Sequence, residues 1–234
     1  MSIFVPQRCP SDEILDDPAI SSEEMYRSLE DLALVNRSLG SARALERFLL
    51  REIRRLGVQR SVLLDVGAGS ADVSRHLAHS LAQAGHPAKV FACDLQWRHL
   101  AAGRRMTGGD AHPAVCADVF SPPFGEKSVD WIVSTLFFHH FSPEENARLL
   151  VSFARIARQG FALLDLTRHL VPLAFIFVAG RLLFKTRVSV LDGIASVRQA
   201  YTPEEARRIA QDAVPGARVE PVFPFRLLVS AMSS

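Results

Sequence analysis

Asp65-Val66-Gly67-Ala68-Gly69 puts a carboxylate at the end of an apolar run and two glycines directly after it. Glycine adopts backbone angles closed to other residues and lets a ligand lie against the main chain. In doubly wound sheets, ligands settle beside the carboxyl ends of the strands. The third glycine of a dinucleotide fingerprint would fall at position 72, where Asp72 stands, and no Walker lysine follows; the turn is not the phosphate-cradling form of the motif. Asp94 closes the next strand-like run, where an acid accepts hydrogen bonds from both ribose hydroxyls of an adenosine. Asp118 ends the third run beside Val119 and Phe120. That acid suits the exocyclic amine of an adenine, and its apolar neighbours suit the ring. Three strand-end acids thus converge on one crevice, and a nucleoside is implied.

Elements that hold the acids in this way must be short buried strands separated by helices. Ser61 to Val66 is a continuous apolar run suited to a strand buried on both faces. Helix is expected over Ala71 to Ala84, Gln96 to Arg105 and Ser142 to Ala157, and strand over Lys89 to Asp94, Ala114 to Ala117, Val129 to Ser134 and Phe161 to Leu164. Ser142-Pro143-Glu144-Glu145 and Thr202-Pro203-Glu204-Glu205 are capping boxes with proline at the first helical position. The second opens a helix to Ala213. Arg218 to Pro221 and Arg226 to Ser230 are the last two strands, and the Phe223-Pro224-Phe225 link between them is too short for a crossover, so they pair antiparallel. Two helices, after Ser21 and over Ala42 to Leu56, precede the sheet. The fold class is α/β, a doubly wound, Rossmann-like sheet of seven strands, mostly parallel, with a C-terminal antiparallel hairpin and N-terminal helices.

Composition agrees with one globular domain: 48% hydrophobic and 22% charged residues in 234, with a formal net charge of +2. No long Lys/Arg tract marks a nucleic-acid binder. Cys9, Cys93 and Cys116 lack the paired spacing of a disulfide framework or zinc site and are expected as free thiols in a reducing, cytoplasmic setting. His76 and His79 lie three apart on a helix without a nearby third ligand, so no metal is expected. The arginines from Arg47 to Arg60 form a solvated helix face or a contact with an anionic membrane surface or partner.

Asp65 to Gly69, Asp94 after the second strand and Ala117-Asp118-Val119 after the third resemble the class I S-adenosylmethionine-dependent methyltransferases. The resemblance spans roughly Leu63 to Ser230. It implies S-adenosylmethionine as cofactor, with Gly67 and Gly69 against its methionine part, Asp94 on ribose and Asp118 on adenine. Asp65, Ala68, Leu95, Val119 and Thr135 complete the expected cofactor set. Within the family this chain is similar to the small-molecule branch that includes ubiquinone and menaquinone biosynthesis enzymes and those modifying phenolic or polyketide-like metabolites. Ser134 to Phe141 resembles the segment such enzymes place between cofactor and acceptor. His139 and His140 are its titratable pair: either removes the proton of an acceptor hydroxyl, or orientation alone suffices because the sulfonium already activates the methyl group. Adjacent helical positions are expected to diverge.

The leader, residues 1–57, is expected as a helical lid, with Tyr26 and Arg37 reaching the cofactor; residues 58–234 form the methyltransferase domain. An insertion at about 166–200 is expected to build the acceptor site from Arg168, Phe175, Arg198 and His139. Its apolar run from Leu170 to Phe184 either lines a greasy pocket or packs a helix onto the sheet. A pocket implies a small apolar acceptor; the histidine pair favours methylation of oxygen over carbon, the alternatives being a non-catalytic S-adenosylmethionine-binding partner subunit or a methyltransferase acting on RNA or protein. The run is too short to span a bilayer, and oligomeric state is open.

Overall fold

Ser61–Val66 forms the inner strand β1, with Val62, Leu64 and Val66 in the core on one face of the sheet and Leu63 in the core on the other. The structure is a computed structural model describing residues 4–108 and 112–233; residues 1–3 of the expected lid and residue 234 fall outside the described residues. The remaining strands are β2 (Ala88–Asp94), β3 (Ala114–Cys116), β4 (Val129–Thr135), β5 (Ala157–Leu166), β6 (Arg218–Val222) and β7 (Arg226–Met232). They form one seven-stranded sheet in the order β3-β2-β1-β4-β5-β7-β6. β1 to β5 run parallel, and β7 is antiparallel to both β5 and β6. The chain reverses its direction of travel between β1 and β4, so a crevice opens where both strands end.

Helices α1 (Ser22–Ser38), α2 (Ser41–Leu56), α3 (Asp72–Gln83), α4 (Trp97–Met106), α5 (Pro143–Ile156), α6 (Leu170–Leu183), α7 (Arg187–Gln199) and α8 (Pro203–Ala213) complete the fold. Alternate side chains of the strands feed two cores. Leu64, Ile132 and Phe161 meet Phe153 of α5 and Ile209 of α8; Leu63, Trp131 and Ala162 meet Leu49 and Ile53 of α2 and Leu77 of α3. Both expected capping boxes form, at Ser142–Glu145 and Thr202–Glu205.

Three elements depart from expectation. β5 starts at Ala157, earlier than its apolar stretch suggests, because Ala157 already pairs with Val129 of β4 and the polar Arg158-Gln159 pass through an irregularity before Gly160 pairs on both sides. Gly160 makes that possible: a Cβ there would stand 2.2 Å from the Ala231 carbonyl oxygen of β7. α2 is a core layer of the sheet domain, with Leu45, Leu49 and Ile53 fully buried, rather than part of a lid. The apolar run after β5 becomes α6, which packs on α7 rather than on the sheet. A Cβ on Gly180 would be in ordinary van der Waals contact with Val190 and Ile176, and one on Gly193 of α7 with Ile176; Gly180 is the one buried residue of α6.

Candidate active site

The turn after β1 is held open by backbone geometry. Gly67 and Gly69 have φ of 66° and 54°, and Ala71 follows at 58°. A Cβ on Gly67 would lie 2.3 Å from the Phe137 ring, whereas one on Gly69 would meet only Leu29 of α1 at 3.8 Å. The Asp94 carboxylate anchors the turn, accepting the Gly69 N–H at 2.7 Å and the Gln96 N–H at 2.8 Å. An ionised carboxylate has about four lone-pair sites, so acceptor capacity remains. Ala68 lies in this turn, its N–H donated to the Cys93 carbonyl. Asp118 is exposed and accepts the Phe120 N–H at 2.9 Å; Val119 is half-buried and Leu95 exposed beside the same strand ends.

Asp65 differs from the other acids. It is buried beneath the turn, accepts the Ser74 hydroxyl at 2.5 Å, and burial together with Asp72 and Asp94 pushes its carboxyl up to about 7. It braces the start of α3 and presents no oxygen to the surface. At the end of β4, Ser134 donates to the Val66 carbonyl, while the neighbouring Thr135 hydroxyl is buried without a partner. A buried hydroxyl left unpaired costs about 1–3 kcal/mol unless a ligand or water meets it. A bare glycine bend, two strand-end carboxylates with spare acceptor capacity and this orphaned hydroxyl fit an adenosyl amino acid.

Leu136, which follows β4, has a φ of 55°, a backbone state that a branched side chain rarely adopts. It turns the chain into a 3-10 turn, Phe138–His140, that carries the histidine pair. The rings do not diverge: they stack with centroids 4.4 Å apart, and both face Glu13. His139 is fixed from both sides. Its Nδ1 lies 2.6 Å from Asp165 Oδ1, its backbone N–H donates to Asp165 Oδ2, and its Nε2 lies 3.4 Å from Glu13 Oε1. Burial alone would lower its basicity, but Asp165 and Glu13 overcome that and hold the imidazole up at about 10. Burial likewise opposes the Glu13 charge, yet the hydrogen bond from His139 and the neighbouring imidazoles bring that carboxyl down to about 2. His139 is therefore an imidazolium between two carboxylates, which removes it as a proton acceptor. His140 is displaced the other way, held low by burial and by the His139 charge, so its ring is neutral at physiological pH. Glu13, His139 and His140 also present ligand atoms within 4.8 Å of one another. That spread exceeds the roughly 3.3 Å ligand separation of a tetrahedral zinc site.

Glu13 arrives on the segment before α1, which is strapped across the mouth of the crevice. Arg8 donates to the carbonyls of His139, Phe141 and Gln199 and covers the Tyr201 ring. Asp192 of α7 accepts the N–H groups of Ile14 and Leu15, and His99 meets the Leu15 carbonyl. Nothing in the local sequence marked Glu13. Asp165, by contrast, is one more acid at the end of a parallel strand, a signal that the strand-end pattern already contained.

The other expected residues lie apart from this centre. Tyr26 packs with Ile20, Met25 and Leu29, and Arg37 is exposed in a surface cavity with Arg43, Arg47 and Phe223. The α1 residues nearest the turn are instead Leu29 and Asn36, the latter bonded to Asp72. Arg168 is buried, and its Nε, Nη1 and Nη2 are each engaged internally, by the Pro6 and Ala200 carbonyls and by Glu205. Phe175 and Arg198 are exposed on α6 and α7. His76 pairs with Glu46, and all three cysteines are free.

Residues 63–160 match the methyltransferase domain family. No curated protein sequence matches the chain. Among solved structures, a SAM-dependent methyltransferase from Aquifex aeolicus is similar over 81% of this chain and 89% of its own, at 22% identity and a TM-score of 0.55. Magnesium protoporphyrin IX methyltransferase from Synechocystis with bound SAH is similar over 84% and 83%, at 16% identity and a TM-score of 0.54. Human N-acetylserotonin methyltransferase in complex with SAM is similar over 91% of this chain and 56% of its own, at 14% identity and a TM-score of 0.63. Residues 63–160 thus carry a methyltransferase domain, set in a fold shared with structures of S-adenosylmethionine-dependent methyltransferases.

Proposed function

We propose that the enzyme methylates a hydroxyl of a small apolar acceptor, phenolic, quinone-like or polyketide-like, with His140 receiving the hydroxyl proton. The observation that carries this reading is the buried Asp165–His139–Glu13 charge chain stacked against a neutral His140 beside the glycine turn. The cofactor, when bound, supplies an electrophilic methyl group on sulfonium. Gly67, Ala68 and Gly69 would form its floor, Asp94 and Asp118 would accept from ribose and adenine beside Leu95 and Val119, and the orphaned Thr135 hydroxyl would find a partner in it. Asp65 acts from below by fixing the turn.

His140 takes the proton from the acceptor oxygen as that oxygen is methylated, and Glu13, 3.9 Å away, offsets the charge it gains. Asp165 and Glu13 fix the orientation of His139, whose ring in turn supports His140 by stacking. An apolar acceptor is supported by the ring cluster between the turn and the histidines: Phe137 meets Phe141 at 4.8 Å and Phe141 meets Phe120 at 5.3 Å. Residues 4–20, rather than the whole leader, serve as the lid, excluding water once the acceptor is in place.

The test is incubation of the protein with labelled S-adenosylmethionine and a panel of phenols and quinols, followed by identification of the labelled position. His140→Ala is expected to lower kcat by about 10²- to 10⁴-fold with cofactor affinity retained. Label on carbon, or a His140→Ala variant with undiminished kcat, refutes the proton-acceptor role.

A further inference from the structure

Between Asp165 and Asp192 the chain contains no acidic residue, while it carries Arg168, Arg181, Lys185 and Arg187. α6 occupies the middle of this stretch and leaves its apolar side chains in solvent: Phe177 is 74% exposed, Val178 76% and Leu182 90%. Its N-terminus continues into a second apolar group. The Leu170 N–H donates to the Phe4 carbonyl, the Phe4 and His169 rings stack, and His169 lies 4.9 Å from Phe225. Phe225 belongs to the β6–β7 turn, whose Phe223 is 92% exposed. That turn is fixed beside the α1–α2 corner by Arg226, which donates to the Leu39 carbonyl at 3.1 Å. There Phe223 and Pro224 border a cavity of about 590 Å³ lined by Arg37, Arg43 and Arg47. Among the described residues, these three arginines, Arg181 and Arg187 form no ion pair. Glu46, the acid in the cavity lining, is engaged by His76.

We infer that this face docks on an anionic lipid bilayer, with α6 and the Phe223 turn embedded at the headgroup boundary and the arginine-lined cavity receiving acidic headgroups. Monomeric soluble proteins do not leave so long an apolar helix in water without a use for it. The 14 residues of α6 reach only about 21 Å, too short to span the hydrocarbon core, and no helix among the described residues is long and apolar enough to cross a membrane. A helix of this kind lies in the interface, and nearby cations strengthen its hold on acidic lipid. Charge decides between a bilayer and a second copy of the chain. A two-fold interface would set the unpaired arginines of one copy against those of the other, with no acid on this stretch to offset them. The inference is independent of the acceptor proposed above; if that acceptor is apolar, the same face places the enzyme where such a molecule dissolves.

The experiment is flotation of the full chain with vesicles of phosphatidylcholine mixed with phosphatidylglycerol, and with phosphatidylcholine alone. The wild type is expected to float with the mixed vesicles and to remain largely behind with the neutral ones. Phe177→Glu and Leu182→Glu are surface changes that leave the thermal unfolding midpoint in place. Each is expected to reduce partition by about tenfold or more. Arg43→Glu and Arg47→Glu are each expected to cost at least about fivefold on the mixed vesicles and little on the neutral ones. Cofactor binding, measured separately, stays unchanged in all four. Failure of the wild type to float with mixed vesicles overturns the inference, as does flotation that Leu182→Glu leaves intact. A dimer in solution that Leu182→Glu dissociates, with no vesicle binding, would assign the face to a second copy instead.

Discussion

Replacing Glu13 with glutamine keeps the side chain's shape and deletes its charge, which isolates the electrostatic hold of the strap on the histidine pair. In the folded chain the Glu13 carboxyl is held at about 2 against an ordinary 4.5. A difference of that size corresponds to at most about 3 kcal/mol favouring the closed strap at neutral pH. The raised basicity of His139 reports the same contact, so the two effects are not added. Asp165 is the larger influence on His139 and survives the substitution, and Ser196 and Gln199 still bond the amide. A loss of about 1–3 kcal/mol is therefore expected. It falls on local opening of the strap, in which the Ile14 and Leu15 amides also leave Asp192. The amides of Ile14 and Leu15 should exchange with solvent deuterium about 5- to 150-fold faster in the variant than in the wild type at the same pH.

The pH dependence gives a sharper test. The depressed Glu13 carboxyl contributes above its ordinary value near 4.5, and the contribution is lost as pH falls toward 2. The raised His139 contributes fully below its ordinary value near 6.5, and that is lost as pH rises through about 10. The variant-to-wild-type exchange ratio should thus be largest between about pH 4.5 and 6.5 and shrink on either side. A ratio near one within that window, or one that stays constant with pH, refutes the charge-chain account.

Asp94→Ala is expected to weaken S-adenosylmethionine binding by about 1–3 kcal/mol in calorimetry, and an unchanged dissociation constant removes Asp94 from the cofactor site. Thr135→Val should leave cofactor-free stability equal or raise it by about 1 kcal/mol while reducing cofactor affinity; intact affinity would mean the hydroxyl has no ligand partner. Arg168→Met strips donors from two carbonyls and Glu205, and urea unfolding should show a loss of about 2–4 kcal/mol with KM for any acceptor unaffected. Gly160→Val forces a Cβ into the β7 backbone, so it should fail to fold or unfold well below the wild-type temperature, whereas Gly216→Ala, where a Cβ meets open space, should cost far less.

The strands that build the crevice were legible because burial on both faces leaves an unbroken apolar run, and because each run stops at an acid or a glycine with few structural uses there. Asp94, Asp118, Gly67 and Gly69 came from that rule, and Asp165 obeys it too. The start of β5 was hidden since strand pairing can be satisfied by backbone alone, so Arg158 and Gln159 needed no apolar character. The two histidines were visible as a pair, but their roles were not. Which one is charged depends on Asp165, from a distant strand, and on Glu13, from a leader separated from them by more than a hundred residues.

By itself, the sequence determined a seven-stranded, mostly parallel sheet closed by an antiparallel pair, since this follows from periodicity and local turn chemistry carried by neighbouring residues. Only the tertiary structure decided that α6 is bared to solvent, that Arg168 is spent on internal carbonyls, and that His139 rather than His140 holds the proton. Exposure and protonation are set by whatever the fold packs against a group, and no local pattern encodes those neighbours.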